Sequence, residues 1–276
     1  MSATTAAPGP ATAVPAARPR PVYSRIAVFG LLLLGAAPLL MLITAMASGM
    51  SLAEDGPFLA LGAAIPLAAA ALAWRFGTWS KILAIAAALV AAAGLFWIAF
   101  GLMVPGSFGD FVPGMSFVLG FVLALGGAIA ALVQGRRGNV ATTATPTERR
   151  IVVGAAVLLA AAVVVSGVFT ALAGRAAADV AGTAVTMSDF AFAEADYTAS
   201  AGERTTFVVH NGDGFVHDFA VPELDVGPVQ VLPGADAVID LPAAEPGTYT
   251  VYCTLHSDTA TSDPGQAGMA ATLLVR

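Results

Sequence analysis

The chain has 276 residues, of which 58% are hydrophobic and only 11% are charged, and its mean hydropathy is +0.82. No ordinary soluble domain has this composition, and the single cysteine, Cys253, excludes an intramolecular disulfide. The net charge of −6 is unevenly distributed, because residues 1–178 carry ten Arg or Lys against four Asp or Glu, and residues 179–276 carry two against fourteen. Two regions that suit different solvents are therefore joined in one chain.

The N-terminal tail, residues 1–25, is rich in Ala, Pro and Thr and is predicted to be disordered and cytoplasmic. Five apolar runs of 18 to 23 residues follow, each without a charged side chain, and a helix needs roughly 20 residues to cross a bilayer. Residues 26–173 are thus predicted to form an all-α membrane region of five transmembrane helices, with the first serving as a signal anchor. The runs are Ile26–Ala47, Pro57–Trp74, Ile82–Val104, Met115–Val133 and Ile151–Ala173.

The distribution of basic residues predicts the orientation of these helices. The loops Ser48–Gly56 and Pro105–Gly114 carry no Arg or Lys, whereas the tail and the two other loops carry nine. Because positively charged loops stay in the cytoplasm, the N-terminus is predicted to lie inside, and five crossings then place the chain after Ala173 outside. The nine residues are Arg18, Arg20, Arg25, Arg75, Lys81, Arg136, Arg137, Arg149 and Arg150.

The apolar runs themselves offer little chemistry. They contain no Asp, Glu, Lys, Arg or His, which argues against a proton relay or a His-ligated haem within them. Three methionines near the outer end of the first run, Met41, Met46 and Met50, could be read as a copper-passing ladder. Their spacing puts Met41 and Met46 on different helical faces, and methionine in an apolar helix is mostly a packing residue, so packing is the prediction.

A second domain begins after a short linker, residues 174–182, which can extend over at most about 30 Å. From Thr183 the pattern changes to short strands separated by Gly and Pro. Seven such strands in fewer than a hundred residues predict an all-β Greek-key sandwich over residues 183–276. The predicted strands are Ala184–Met187, Arg204–His210, His217–Val221, Val229–Leu232, Ala237–Leu241, Thr248–Cys253 and Ala270–Val275.

The stretch between the last two strands contains candidate metal ligands. Cys253 ends a strand, a turn can bring His256 back to the same point, and Met269 directly precedes the final strand. A thiolate, two imidazoles and a weak thioether are the ligands with which copper cycles between Cu(I) and Cu(II). The second imidazole must come from upstream. We choose His217, which opens a strand, over His210, which is predicted to be a solvated residue at a strand end.

These residues, in this order and strand context, resemble the cupredoxins, the blue copper family that includes plastocyanin, azurin and halocyanin. In that family the first His follows a strand and a loop, and the Cys, the second His and the Met share one late loop before the final strand. The resemblance covers roughly the last ninety residues. It implies one type 1 copper ion held by His217, Cys253, His256 and Met269, in a sandwich that carries electrons.

Two positions depart from the pattern of that family. Twelve residues separate the second His from Met269, which is longer than is usual after a Cys-x2-His motif. Gln266 is the rival axial ligand, because an amide oxygen can also bind copper weakly. Asp218 stands where the family often has Asn, and we expect it to face Thr254.

The sequence thus predicts a membrane-anchored, outward-facing carrier of single electrons. It is not predicted to be an enzyme, because three histidines are too few for the coupled copper centres that reduce oxygen or nitrite. A copper-binding or delivery protein and a copper-free interaction sandwich are the alternatives.

The charge of −12 after residue 178 favours a basic redox protein as the partner, unless it merely gives solubility, and no nucleic acid is expected. Three loop acids are predicted to be solvated charges rather than calcium ligands: Asp213, Asp258 and Asp263.

Overall fold

The computed structural model describes residues 21–53, 55–75, 78–94, 100–138, 140–173, 180–257 and 268–276. Within these ranges five α-helices precede nine β-strands. Several predictions fall outside the described residues, namely the tail up to residue 20, residues 174–179 of the linker, and the side chains of Asp258, Asp263 and Gln266.

The helical region consists of long apolar helices, as the five runs predicted. Four of them are long and apolar enough to cross a membrane, judged by length and composition. The third, α3, has only 14 residues and continues into a short 3₁₀ turn, so the crossing predicted for Ile82–Val104 stays a prediction. The helices are α1 Val22–Ala47, α2 Asp55–Arg75, α3 Thr78–Ala91, α4 Phe108–Arg136 and α5 Pro146–Ala173.

Helices α1 and α4 pack closely along their length because small residues line their contact. A methyl group at Gly120 would lie 2.6 Å from the backbone nitrogen of Leu34, and one at Gly127 would lie 2.7 Å from that of Ala27. Only glycine permits this approach, which is a common way of joining helices in lipid. The non-cytoplasmic end predicted for α1 and the start of α4 are thereby brought together.

The C-terminal region forms two β-sheets. Their strand orders are β2-β1-β4-β7 and β3-β9-β8-β5-β6. The β1–β4 and β3–β9 pairs are parallel and the other pairs are antiparallel. The strands are β1 Thr183–Ser188, β2 Ala191–Phe192, β3 Asp196–Ala199, β4 Thr205–Asn211, β5 His217–Val221, β6 Val226–Val231, β7 Asp236–Leu241, β8 Gly247–Ser257 and β9 Gly268–Val275.

One hydrophobic core joins the two sheets into a sandwich. Phe207 from the first sheet and Phe219 from the second are fully buried, with ring centroids 5.9 Å apart. Cys253 and Met269 belong to the same core cluster. All seven predicted strands are present within a few residues of their predicted limits, while the short β2 and β3 are additions. The Greek-key connection stays a prediction.

Candidate metal centre

Cys253 and His256 reach the same point because β8 is irregular. In a regular strand, residues three apart point to opposite faces of the sheet. Between Tyr252 and Ser257 the register with β9 shifts, so that β8 advances by five residues while β9 advances by two. A bulge of this kind re-aims side chains. His256 was expected in a turn after the strand, but it lies within β8, and the bulge supplies the change of direction that the turn was expected to give.

Three potential ligand atoms converge at this end of the sandwich. His217 Nδ1 lies 3.0 Å from His256 Nδ1 and 3.8 Å from Cys253 Sγ, and the remaining distance, from Cys253 Sγ to His256 Nδ1, is 3.4 Å. Nitrogen and sulfur ligands of a trigonal metal ion, at bond lengths of about 2.0 to 2.3 Å, would be about 3.5 to 3.8 Å apart. In the part of the chain that the structure describes, this is the group of His, Cys and acidic residues able to hold a metal ion. The three observed distances, 3.0 to 3.8 Å, are at or slightly below this range, and a thiolate with two imidazoles is a ligand set that suits copper.

His217 is oriented by a buried carboxylate. Its Nε2 lies 2.7 Å from Oδ2 of Asp213, and both side chains are essentially inaccessible to water. Because Nε2–H donates to this carboxylate, Nδ1 is left as the atom that faces the other two ligands. Asp213 was predicted to be a solvated loop charge. That prediction is wrong, because the loop folds inward and the carboxylate accepts hydrogen bonds there.

The other donors to Asp213 come from an unusual turn between β1 and β2. Asp189 and Phe190 both have φ of +55°, and their backbone N–H groups donate to the Asp213 carboxylate at 2.7 and 3.0 Å. Left-handed conformations in two successive residues other than glycine cost conformational energy. The carboxylate offsets this cost by accepting both N–H groups. The turn also places the Phe190 ring edge-on to both imidazoles, with centroids 5.5 Å from His217 and 4.8 Å from His256.

Asp218 supports the site from the side of the sulfur. Its backbone N–H donates to Cys253 Sγ at 3.3 Å, an interaction that tunes a metal-bound thiolate. Its carboxylate accepts hydrogen bonds from the backbone N–H and the hydroxyl of Thr254, at 2.7 and 2.5 Å. The expected approach of Asp218 to Thr254 is confirmed, and it ties β5 to β8 beside the ligands.

Met269 lies beside the site in the register of the last two strands. Ser257 of β8 is paired with Gly268 of β9, so Met269 is opposite the bulged segment that carries Cys253 and His256. The Met269 side chain is 1% exposed and belongs to the core cluster that contains Cys253. Its assignment as the axial ligand stays a prediction.

Burial sets the protonation of the metal-free site. It raises the pKa of the Cys253 thiol to about 12, and the nearby Asp218 carboxylate adds to this rise. Burial also lowers the pKa of His256 to about 3, helped by its neighbour His217. For Asp213, burial alone would raise the pKa, but hydrogen bonds from His217 and the backbone outweigh it and lower the pKa. The sulfur is therefore a neutral thiol near pH 7 until a cation replaces its proton.

His210, the rival of His217, lies outside this cluster. It is in β4, 47% of its side chain is exposed, and its Nδ1 lies 2.6 Å from an oxygen of Asp236. This exposed pair agrees with the prediction of a solvated residue near a strand end.

The sandwich and its His-Cys-His group define a copper-binding domain of the blue copper kind, and comparison with known families agrees. Residues 157–262 match the family model described as a cupredoxin-like domain. The matched span begins within α5 and contains His217, Cys253 and His256, whereas Met269 lies beyond it. The C-terminal part of the chain is thus a cupredoxin-like domain, and its ligand group supports one type 1 copper ion.

Several solved structures are similar to this domain. Auracyanin A, a "blue" copper protein from Chloroflexus aurantiacus, is 16% identical over 34% of this chain and 96% of its own, with a TM-score of 0.26. Auracyanin from Roseiflexus castenholzii is 19% identical over 36% of this chain and 99% of its own, also with a TM-score of 0.26. The periplasmic domain of cytochrome oxidase subunit II from Bradyrhizobium japonicum is 19% identical over 30% of this chain and 55% of its own, with a TM-score of 0.24. The comparison with curated proteins finds no match.

Proposed function

We propose that this protein is a membrane-anchored, outward-facing carrier of single electrons and not an enzyme. The observation that carries the proposal is the convergence of His217 Nδ1, Cys253 Sγ and His256 Nδ1 within a cupredoxin-like domain. These three residues hold the copper ion, and Met269 supplies a weak axial sulfur. Copper in such a ligand set alternates between Cu(I) and Cu(II) with little rearrangement. The buried hydrogen bonds of Asp213 and Asp218 keep the ligands in place in both oxidation states.

An optical and EPR spectrum of the copper-loaded full chain in detergent tests this function. The expected result is one copper per chain, an intense thiolate-to-copper band in the visible, and reversible one-electron reduction. A chain that binds copper without this band, or that passes copper rapidly to a chelator, would instead act in copper handling. A chain that binds no copper would be an interaction sandwich.

The axial assignment predicts a change of redox potential on substitution of Met269. Replacement by glutamine is expected to lower the potential while the copper is retained, because a harder oxygen ligand favours Cu(II) over Cu(I). Replacement by leucine removes the weak donor and should also shift the potential. Cyclic voltammetry of the copper-loaded variants provides the measurement.

Two controls separate axial ligation from packing in that experiment. Met187 is also fully buried in the same core cluster and is not one of the proposed ligands, so Met187→Leu makes the same packing change as Met269→Leu without removing a ligand. Gln266→Ala should leave the potential nearly unchanged. The assignment is wrong if Gln266→Ala shifts the potential and Met269→Leu does not.

The proposed orientation has the N-terminus inside, five crossings and the copper domain outside. Contacts between the two regions support it. The backbone N–H of Ser51, after α1, donates to Asp189 of the sandwich, and the side chain of Asp110, at the start of α4, accepts from Val216. Ser51 and Asp110 each belong to one of the two loops that lack Arg and Lys. The sandwich therefore contacts the end of the helices that the charge distribution assigns to the outside.

This orientation predicts a defined result for proteolysis. A broad-specificity protease added to right-side-out membrane vesicles should digest the copper domain and spare the loop between Arg136 and Arg150. Detergent should then expose the spared loop as well. Digestion of that loop in intact vesicles, with protection of the copper domain, would reverse the proposed orientation.

We further propose that the electron partner is a basic redox protein. Residues 179–276 carry fourteen acidic residues against Arg204 and Arg276 alone, and such a surface attracts a partner of opposite charge over long distances. The second-order rate of electron transfer to a basic cytochrome is expected to fall as salt rises from about 10 to 150 mM, across which charges become screened. An acidic cytochrome of similar potential serves as the control. A salt-independent rate with both would assign the acidity to solubility.

A further inference from the structure

The ligand-bearing end of the sandwich contacts the helical region. We call residues 189–190 and 213–217 the copper pole, and residues 44–51 and 106–110 the helix platform. The copper pole contains the turn beside the imidazoles and the loop that ends at His217. The helix platform contains the end of α1 and the start of α4.

A partly buried hydrogen bond joins the copper pole to the helix platform directly beside a ligand. The backbone N–H of Val216, the residue before His217, donates to Oδ2 of Asp110 at 2.9 Å. Ser107 also donates its hydroxyl to this oxygen. Val216 is 1% exposed, and a buried N–H needs an acceptor. Here Asp110 of α4 is that acceptor. A helix outside the sandwich therefore satisfies the backbone N–H next to His217.

An apolar contact surrounds this hydrogen bond. Phe215 forms a buried cluster with Ala45 and Met50, and Phe190 and Met41 pack against it. The Phe190 ring thus packs against this cluster, where it stacks on the Phe215 ring, and it also contacts both imidazoles. Met41 and Met50 pack here while Met46 is exposed, which agrees with the prediction that Met41 and Met46 lie on different faces of the helix.

The backbones approach each other too closely for any side chain larger than hydrogen. A methyl group at Gly109 would overlap the carbonyl oxygen of Gly214 and would lie 3.0 Å from the ring of Phe215. A methyl group at Gly214 would lie 2.6 Å from Cγ2 of Thr44. Glycines on both sides of the contact therefore allow a fit that other residues would prevent.

From these contacts we propose that the helix platform is the docking surface of the copper pole, and that it restricts the access of water and soluble partners to the imidazole side of the metal site. This inference rests on the proposed function in one respect, the presence of copper. A soluble partner exchanges electrons through this side only when the copper pole separates from the helix platform. The docked state keeps the hydrogen bond from Val216 to Asp110 and the ring contact of Phe190 with both imidazoles.

Substitution of Gly109 tests the proposal in the full chain. Gly109→Ala should separate the copper pole from the helix platform, whereas Gly126→Ala, on the same helix with open space around it, is the matched control. Hydrogen exchange of the metal-free protein in detergent, followed by mass spectrometry, is expected to be at least tenfold faster in residues 186–192 and 212–218 of Gly109→Ala. Exchange in β4 should be unchanged, and Gly126→Ala should behave like the wild type.

The copper-loaded proteins provide a second readout. Bleaching of the blue band by a small anionic reductant such as ascorbate should be at least tenfold faster in Gly109→Ala than in the wild type. Wild-type rates in both experiments would overturn the proposal. If Gly109→Ala exchanges rapidly throughout the sandwich, it has lost its fold, and Asp110→Ala then decides, because it removes the acceptor shared by the Val216 N–H and the Ser107 hydroxyl without adding a methyl group to the contact. If the wild type shows no blue band, the proposed function fails, while hydrogen exchange still tests the docking.

Discussion

Replacement of Cys253 by serine is expected to abolish the visible absorption of the copper-loaded protein and most of its affinity for copper. The absorption arises from charge transfer from a thiolate to Cu(II), and an alcohol cannot supply it. Soft sulfur also contributes most to the binding of Cu(I). The measurement is an absorption spectrum combined with copper titration of both proteins. Serine fits the fully buried position, so circular dichroism should show an intact sandwich.

The pH dependence of copper binding gives this prediction a quantitative check. Because the pKa of Cys253 is raised to about 12, the thiol is protonated from pH 5 to 8, and copper must displace its proton. The pKa of His256 is lowered to about 3, so this imidazole is already neutral and releases none. Displacement of one thiol proton makes the apparent affinity rise about tenfold per pH unit.

Two results would contradict the role of Cys253. One is a visible band that survives in Cys253→Ser. The other is a wild-type affinity that does not change between pH 5 and 8. His210→Gln serves as the control, because this exposed histidine lies outside the ligand cluster, and its spectrum and pH dependence should match those of the wild type.

Replacement of Asp213 by asparagine is expected to lower the affinity for copper by about 10- to 100-fold, the usual effect of removing a partner that orients a ligand. The free energy of unfolding of the metal-free protein should fall by about 1 to 3 kcal/mol, because a buried donor loses its acceptor. The carboxylate accepts from His217 and from the backbone of Asp189 and Phe190. The amide of asparagine has only one oxygen to accept hydrogen bonds from these three donors, so at least one of them loses its acceptor.

A second His–Asp pair in the same sandwich supplies the control. His210 and Asp236 are 2.6 Å apart, like His217 and Asp213 at 2.7 Å, but they are exposed. Exposed pairs contribute little, so Asp236→Asn should change the unfolding free energy by less than about 0.5 kcal/mol and leave copper binding unaltered. Copper titration and urea unfolding of the two variants provide the comparison. Equal effects would show that Asp213 does not position His217.

The residues that carry metal chemistry could be recognised from the sequence because their types and spacing are themselves the signal. The Cys253-x2-His256 motif precedes a strand and His217 opens one, so their convergence could be expected, although a bulge in β8 and not the expected turn re-aims His256. The structure brings these three atoms together, and copper ligation by them stays a prediction. The seven longer strands were also predictable, because each has enough alternation and flanking Gly or Pro to define it.

The support around the ligands could not be predicted in the same way. Asp213 lies between two glycines and has the local signature of an exposed turn, and its burial depends on backbone donors from a turn 23 residues earlier. Phe190 is a single aromatic residue in a left-handed conformation that its sequence does not favour. The role of Asp110 depends on how α1 and α4 pack, and no local pattern contains that information. Strands of two and four residues, such as β2 and β3, are too short to show a period.

The pairing of Ser257 with Gly268 gives the domain a site where its chain length can vary. Ten residues, 258–267, connect these two paired positions, and the proposed ligands His256 and Met269 lie just outside the pair. Since the strands fix both ends of the connection, an insertion there changes closure entropy only slowly with length. Evolution can therefore lengthen or shorten this connection without displacing the metal site. For the same reason it is the natural place to insert an epitope tag or a fluorescent reporter into a working protein.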